Sequence, residues 1–167
     1  MIETHPFEPF IPSNIKVLIL GSFPGKEQTR NAISQTDWYY GAKRNQFWSI
    51  IEMAFAVNLP DRISKEALFA SYRIGVADII KQCVRKNNGN LDSNLVDVVY
   101  NTDLLKEILE TKSLEKIYCT SKNVEKIFKK LFPYFTRVES LPSPSPRYAK
   151  MSKYEKAAKY KELLSGI

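Results

Sequence analysis

Histidine is nearly absent from this chain: of 167 residues only His5 carries an imidazole. Read from its place near the amino terminus, His5 is an exposed terminal residue, and a mechanism that draws a histidine base from the body of the fold is excluded. Cysteine is almost as scarce. Cys83 and Cys119 stand alone, without the short spacings that build zinc or iron–sulfur sites, so neither a metal nor another cofactor is expected. Long apolar runs are missing as well, since no segment approaches the roughly 18 residues of a membrane span. With Glu3 and no basic stretch, the amino terminus is unlike a signal peptide, which points to a cytoplasmic chain with no membrane partner. A phosphate loop is also lacking. Gly21-Ser22-Phe23-Pro24-Gly25-Lys26 has three residues between its glycines where that motif needs four, and Glu27 follows the lysine in place of serine or threonine. What remains is a tight turn whose amides can hold an anion or a water, or else a plain strand-to-loop turn.

Basic charge is what the chain has in excess. A net charge of +7 and a pI of about 9.3 suit a nucleic-acid partner without requiring one. The length fits a single domain over residues 1–167, and 44% apolar residues suffice for one core. Residues 16–21 read as a first strand, followed by a long loop to about Lys43. Phe47, Trp48, Ile50, Ile51 and Ala54 recur at helical spacing, which puts Asn45 on the first turn of a helix. Ser64 caps a helix reaching about Tyr72, and residues 74–80 read as a second strand interrupted by Asp78. Residues 81–101 form the longest irregular stretch, with a turn at Asn87-Asn88-Gly89-Asn90. A helix around Leu104 and Ile108, a third strand over 114–120, a helix around Val124 and Phe128 and a last strand over 136–141 follow. Ser152-Lys153-Tyr154-Glu155 is a capping box opening a final helix that Gly166 ends. This alternation is that of an α/β/α sandwich around a parallel sheet of about four strands.

If the strands are parallel, the turn at 21–25 and the loop Leu141-Pro142-Ser143-Pro144-Ser145-Pro146-Arg147-Tyr148 open on one sheet edge, where open α/β proteins bind ligands. Aromatic, amide and hydroxyl groups then meet near a basic surface, a combination suited to a nucleotide drawn out of a duplex. Tyr39 or Tyr40 offers a flat face for such a base, or packs in the core. Asp78 either accepts a ring N–H or caps a loop or helix. Ser143 and Ser145 can hydrogen-bond phosphates, with Lys122 adding a contact. Arg147 and Tyr148 can enter the minor groove, or all five are ordinary exposed residues. Lys126, Lys129, Lys130, Lys153, Lys156, Lys159 and Lys161 read as solvated helix faces.

Taken in order, Gly-Ser-Phe-Pro-Gly at 21–25, Tyr39-Tyr40-Gly41 before Arg44-Asn45-Gln46-Phe47-Trp48, Gly75-Val76-Ala77-Asp78, Asn90-Leu91-Asp92-Ser93 and the serine–proline loop resemble the uracil-DNA glycosylase superfamily, above all its hypoxanthine-DNA glycosylase branch. The resemblance runs from about Val17 to Leu164. It implies a three-layer α/β/α fold with a four-stranded parallel sheet. It also implies a monomeric, metal-free enzyme of base-excision repair that cleaves the bond between a deaminated base, hypoxanthine or uracil, and deoxyribose in double-stranded DNA. By position, Gly21, Ser22, Pro24 and Gly25 form the active-site loop, with Phe23 where mismatch-specific glycosylases keep a water-orienting asparagine. That task passes to Asn45, whose amide oxygen can accept a hydrogen bond from water; as an alternative, Asn45 only caps its helix. One departure stands out: Ala42-Lys43 occupies the place of the branch's histidine-proline, removing a polar contact. A nucleic-acid-binding protein of the same fold with weak or lost catalysis is therefore the alternative.

Overall fold

Apolar runs without polar alternation, such as residues 17–20 and 74–77, require cover on both faces of a strand. The fold supplies it. The computed structural model describes residues 1–30 and 38–165. Its elements in chain order are β1 (Ile2–Thr4), β2 (Val17–Gly21), α1 (Lys26–Arg30), α2 (Phe47–Phe55), α3 (Arg62–Ser71), β3 (Ile74–Asp78), β4 (Ile80–Arg85), β5 (Leu95–Tyr100), α4 (Thr102–Leu109), β6 (Lys116–Cys119), α5 (Lys122–Leu131), β7 (Val138–Ser140) and α6 (Lys153–Leu164). Four strands make a parallel sheet in the order β3-β2-β6-β7. Alternate residues of β2 serve opposite layers. Val17 and Ile19 join a core built with α2, α3 and α6, while Leu18 and Leu20 join one built with α4 and α5. The expected three-layer sandwich on a four-stranded parallel sheet is thus present. No described helix is long and apolar enough to cross a membrane.

A second sheet departs from the sequence reading. β1, β4 and β5 form an antiparallel sheet in the order β1-β4-β5, so most of the stretch expected to be irregular, residues 81–101, is a hairpin. Register shifts between Ile80 and Gln82 and between Gln82 and Val84 break the two-residue period that would have marked β4 as a strand. The run 74–80 is likewise two strands: β3 stops at Asp78 and the chain leaves the parallel sheet, the Ile79 N–H bonding Gly21 O at 2.8 Å. Residues 26–30 are helical where a continuous loop was expected.

Caps set the helix starts. Asp61, not Ser64, is the N-cap of α3, with Ser64 completing a capping box from the third helical position. Ser152 and Glu155 form the expected box on α6, whose predicted stop at Gly166 lies outside the described residues. α2 begins at Phe47, so Asn45 precedes the helix instead of lying on its first turn. The Gln46 N–H bonds Pro144 O at 3.0 Å, which ties the start of α2 to the serine–proline loop.

Candidate active site

Parallel strands end together, here at Gly21, Asp78, Cys119 and Ser140. From β2 the sheet grows one way to β3 and the other way through β6 to β7, which makes the β2–β6 edge a topological switch point. A cavity of about 580 Å³ opens there, a volume typical of sites for small molecules. Its walls come from Ser22, Phe23, Pro24 and Gly25 after β2, Asp78 at the end of β3, Thr120 and Ser121 after β6, and Ser143, Ser145 and Arg147 after β7. Tyr39, Tyr40 and Asn45 enter from the segment before α2. The two loops do open on one edge, as the sequence suggests.

Gly21 matters here for the space it leaves. A Cβ at this position would sit 2.5 Å from Asp78 Oδ1 and 2.7 Å from Tyr40 Oη, so only glycine lets both groups stand over the strand end. Tyr40 is itself held at a φ of 60°, a costly conformation for a bulky residue, with its ring stacked on Phe47 at 4.0 Å between centroids. Its hydroxyl is buried and, among the described residues, makes no well-formed hydrogen bond, with Thr120 close enough to act on it. Burial, reinforced by the charge of Asp78, pushes the Tyr40 hydroxyl far above its usual range and keeps it a protonated donor at neutral pH.

Tyr39 lines the cavity yet is only 3% exposed, with its hydroxyl donating to Phe7 O at 3.4 Å and its ring against Phe7 and His5. Most of its surface is taken up by these packing contacts. The freer aromatic surface is Phe23, half-buried in the wall. Arg85 steadies that turn, donating to Pro24 O at 3.0 Å while it pairs with the buried Glu3 at 3.1 Å.

Asn45 Oδ1 accepts the Phe47 N–H at 2.8 Å, so from the position before the N-cap Gln46 the side chain holds the first N–H of α2 while it lines the cavity. One lone pair of that oxygen and the whole amide NH₂ stay uncommitted in this pairing. In the serine–proline loop, Ser143 Oγ accepts from the Ser145 N–H and Ser145 Oγ from the Arg147 N–H, each at 3.2 Å. Among the described residues neither hydroxyl proton has an acceptor. Arg147 is exposed at the rim, and Tyr148 and Lys122 lie beyond it along a second hollow that shares Ser121, Ser143, Ser145 and Arg147 with the first. Lys122 Nζ is 3.6 Å from Glu125, on a side chain that is 87% exposed.

Three residues of this region escape the sequence reading. His5 is not an exposed terminal residue: its side chain is 7% exposed and its Nε2 lies 2.6 Å from Asp78 Oδ2. The antiparallel register of β1 on β4, followed by the His5 N–H bond to Lys81 O at 2.9 Å, carries it there. Lys156 is not on a solvated helix face either. At 1% exposure, it donates to Gln46 Oε1 at 2.9 Å and Ser145 O at 3.1 Å, and burial lowers its pKa. Asp92, seen in the sequence only as part of a motif, accepts from Ser22 Oγ at 3.0 Å on the cavity wall. Water reaches Asp92, but crowding by the walls pushes its carboxyl up, against the Ser22 hydrogen bond and with help from the charge of Asp78. No signal within the sequence marks the first two, because both depend on contacts across more than seventy residues.

A hypoxanthine DNA glycosylase of Methanosarcina acetivorans is 33% identical over 93 residues, 54% of this chain and 54% of that protein. One of Methanosarcina barkeri is 33% identical over 101 residues, 58% of each. The match therefore spans little more than half the length of these relatives. A Methanosarcina acetivorans protein solved by solution NMR, a candidate uracil DNA glycosylase, shares the fold with a TM-score of 0.67 at 23% identity, over 98% of this chain and 99% of that one. A family model for the uracil DNA glycosylase superfamily matches residues 8–165, nearly the whole chain, and the protein belongs to that superfamily.

Proposed function

We propose that this protein is a monofunctional DNA glycosylase that hydrolyses the N-glycosidic bond of deaminated bases, hypoxanthine or uracil, in double-stranded DNA. The observation that carries this reading is the pair over Gly21: Asp78 Oδ1, an acceptor, beside Tyr40 Oη, a buried donor without a well-formed hydrogen bond among the described residues. Hypoxanthine and uracil both present a ring N–H next to a carbonyl oxygen, which matches that pair. Adenine and cytosine carry no hydrogen on the corresponding ring nitrogen, so they leave the carboxylate without a donor.

The chemistry follows from the groups around the cavity. Phe23 packs against the flat base, and the serine–proline loop holds the flanking phosphates through the Ser143 and Ser145 hydroxyls. As the glycosidic bond stretches, positive charge builds on the sugar. DNA phosphates and the carboxylates of Asp78 and Asp92 oppose it, while the Tyr40 hydroxyl stabilises negative charge on the departing base. Asparagine is no base at neutral pH. Asn45 instead orients a water that is captured late, through the lone pair left free by its bond to the Phe47 N–H.

Duplexes bearing one uracil, hypoxanthine, xanthine or thymine mismatch test this reading by the appearance of alkali-sensitive abasic sites. Release of hypoxanthine at least equal to that of uracil is expected, unchanged by EDTA. Among the described residues no group of histidine, cysteine and carboxylate side chains is arranged to hold a metal. Tight duplex binding with no release of any base would instead make the protein a binding module on this scaffold.

A further inference from the structure

The buried contact between His5 and Asp78 joins two parts of the chain that the parallel sheet alone would not bring together. His5 does not line the cavity; it stands behind Asp78, walled by Phe7, Phe23 and Tyr39 with ring centroids 5.2–5.9 Å away. The imidazole Nδ1 lies 3.1 Å from both the N–H and the carbonyl oxygen of Phe7. When Nδ1 accepts the Phe7 N–H, the neutral ring carries its proton on Nε2 and donates it to Asp78 Oδ2 at 2.6 Å. No described residue donates to the other carboxylate oxygen, Oδ1, which stands over Gly21 beside Tyr40 Oη.

We infer that His5 is a positioning residue for base recognition: by taking Oδ2 it fixes the Asp78 carboxylate in one rotamer and leaves Oδ1 as the acceptor presented to the base. The inference rests on the glycosylase reading for its kinetic effect but not for its geometry. A carboxylate on a strand end can swing about two side-chain torsions, and an acceptor displaced by about 1 Å loses much of its effect on a reacting base. A donor locked by a backbone amide removes that freedom. The N-terminal strand β1, remote from the chemistry in sequence, thereby becomes part of the site.

Two amide substitutions separate this role from simple packing. In His5→Gln the amide nitrogen reaches about as far as Nε2 and can still donate to Asp78; in His5→Asn it reaches only as far as Nδ1 and cannot. Single-turnover base release at saturating enzyme should fall about tenfold or more in His5→Asn and stay within about threefold of wild type in His5→Gln, with duplex affinity nearly unchanged in both. Equal rates in the two variants, whether both fast or both slow, would overturn the inference. A second measurement needs no activity. Because the chain has a single histidine, imidazole nitrogen NMR signals have one source. They should report a protonated Nε2 whose resonance moves in Asp78→Asn. A ring protonated on Nδ1 alone, or one indifferent to Asp78→Asn, would equally overturn it. Should the wild type release no base from any duplex, the glycosylase reading fails, and the NMR result still decides whether His5 holds Asp78.

Discussion

Tyr40 brings three costs together in one residue: a left-handed backbone, a buried hydroxyl without a well-formed hydrogen bond among the described residues, and a neighbouring carboxylate. Such costs persist where a function needs them. Tyr40→Phe keeps the ring on Phe47 and removes only the stranded hydroxyl, so the fold should gain up to about 1 kcal/mol, read as a rise in denaturation midpoint. Base release should fall in the same protein, by tenfold or more if the hydroxyl donates to the base carbonyl. Unchanged stability together with an unchanged rate would return Tyr40 to the core. Asn45 calls for a different pair of variants, because it both holds the first N–H of α2 and lines the cavity. Asn45→Ala should lose about 1 kcal/mol of stability with that bond and about a hundredfold in single-turnover rate with the water. Asn45→Asp keeps the acceptor for the Phe47 N–H, so it should hold its stability. Base release that tracks stability across both variants would show a hold on the helix start and nothing more.

At the scale of elements, the N-terminal strand is held by a charge cluster. Glu3 is buried, which by itself would raise its carboxyl, but hydrogen bonds from Arg85, Thr29 and Arg30 outweigh burial and bring its pKa from 4.5 down to about 2. A carboxylate depressed in the folded state stabilises it above the unfolded value and loses that contribution as pH falls through the folded one. Thermal stability should therefore drop as pH falls from about 4.5 towards 2, and Glu3→Gln should flatten that part of the profile while lowering stability near neutrality. A profile unaltered by Glu3→Gln would place the acid sensitivity elsewhere. This cluster also shows where sequence reading stops. β2, β3 and β6 are legible because each carries a run of buried apolar residues, and α6 because its cap is local. β4 is illegible because bulges scramble its period, and His5 because three residues of β1 register decide where it goes. Lys156 is read as exposed since Lys153, Lys159 and Lys161 share its helix; only the packing of α6 against Gln46 and Ser145 tells it apart.

For the whole molecule, the proposed function raises the question of how a basic protein would keep phosphate grip separate from chemistry. On the proposed reading the net charge of +7 would attract duplex DNA, while the exposed Arg147 stands at the rim shared by the cavity and its neighbouring hollow, on a loop tied to α2 through Pro144 and to α6 through Lys156. Each phosphate neutralised on duplex DNA contributes a slope of about 0.9 to the fall of log affinity with log salt, so contacts at this rim can be counted by titration. Arg147→Ala should weaken binding to lesion-free and lesion-bearing duplexes alike and reduce the slope by about one unit, with the single-turnover rate at saturating enzyme unchanged. Weaker binding at a constant slope would mean that Arg147 wedges into a groove without touching phosphate, and the loss should then be larger for the lesion duplex, where a flipped base leaves a gap to fill. A fall in the saturated rate would be the informative failure. It would mean that the ties from the loop to Gln46 and α6 carry its disturbance to Asn45, and that grip and chemistry share one rigid unit.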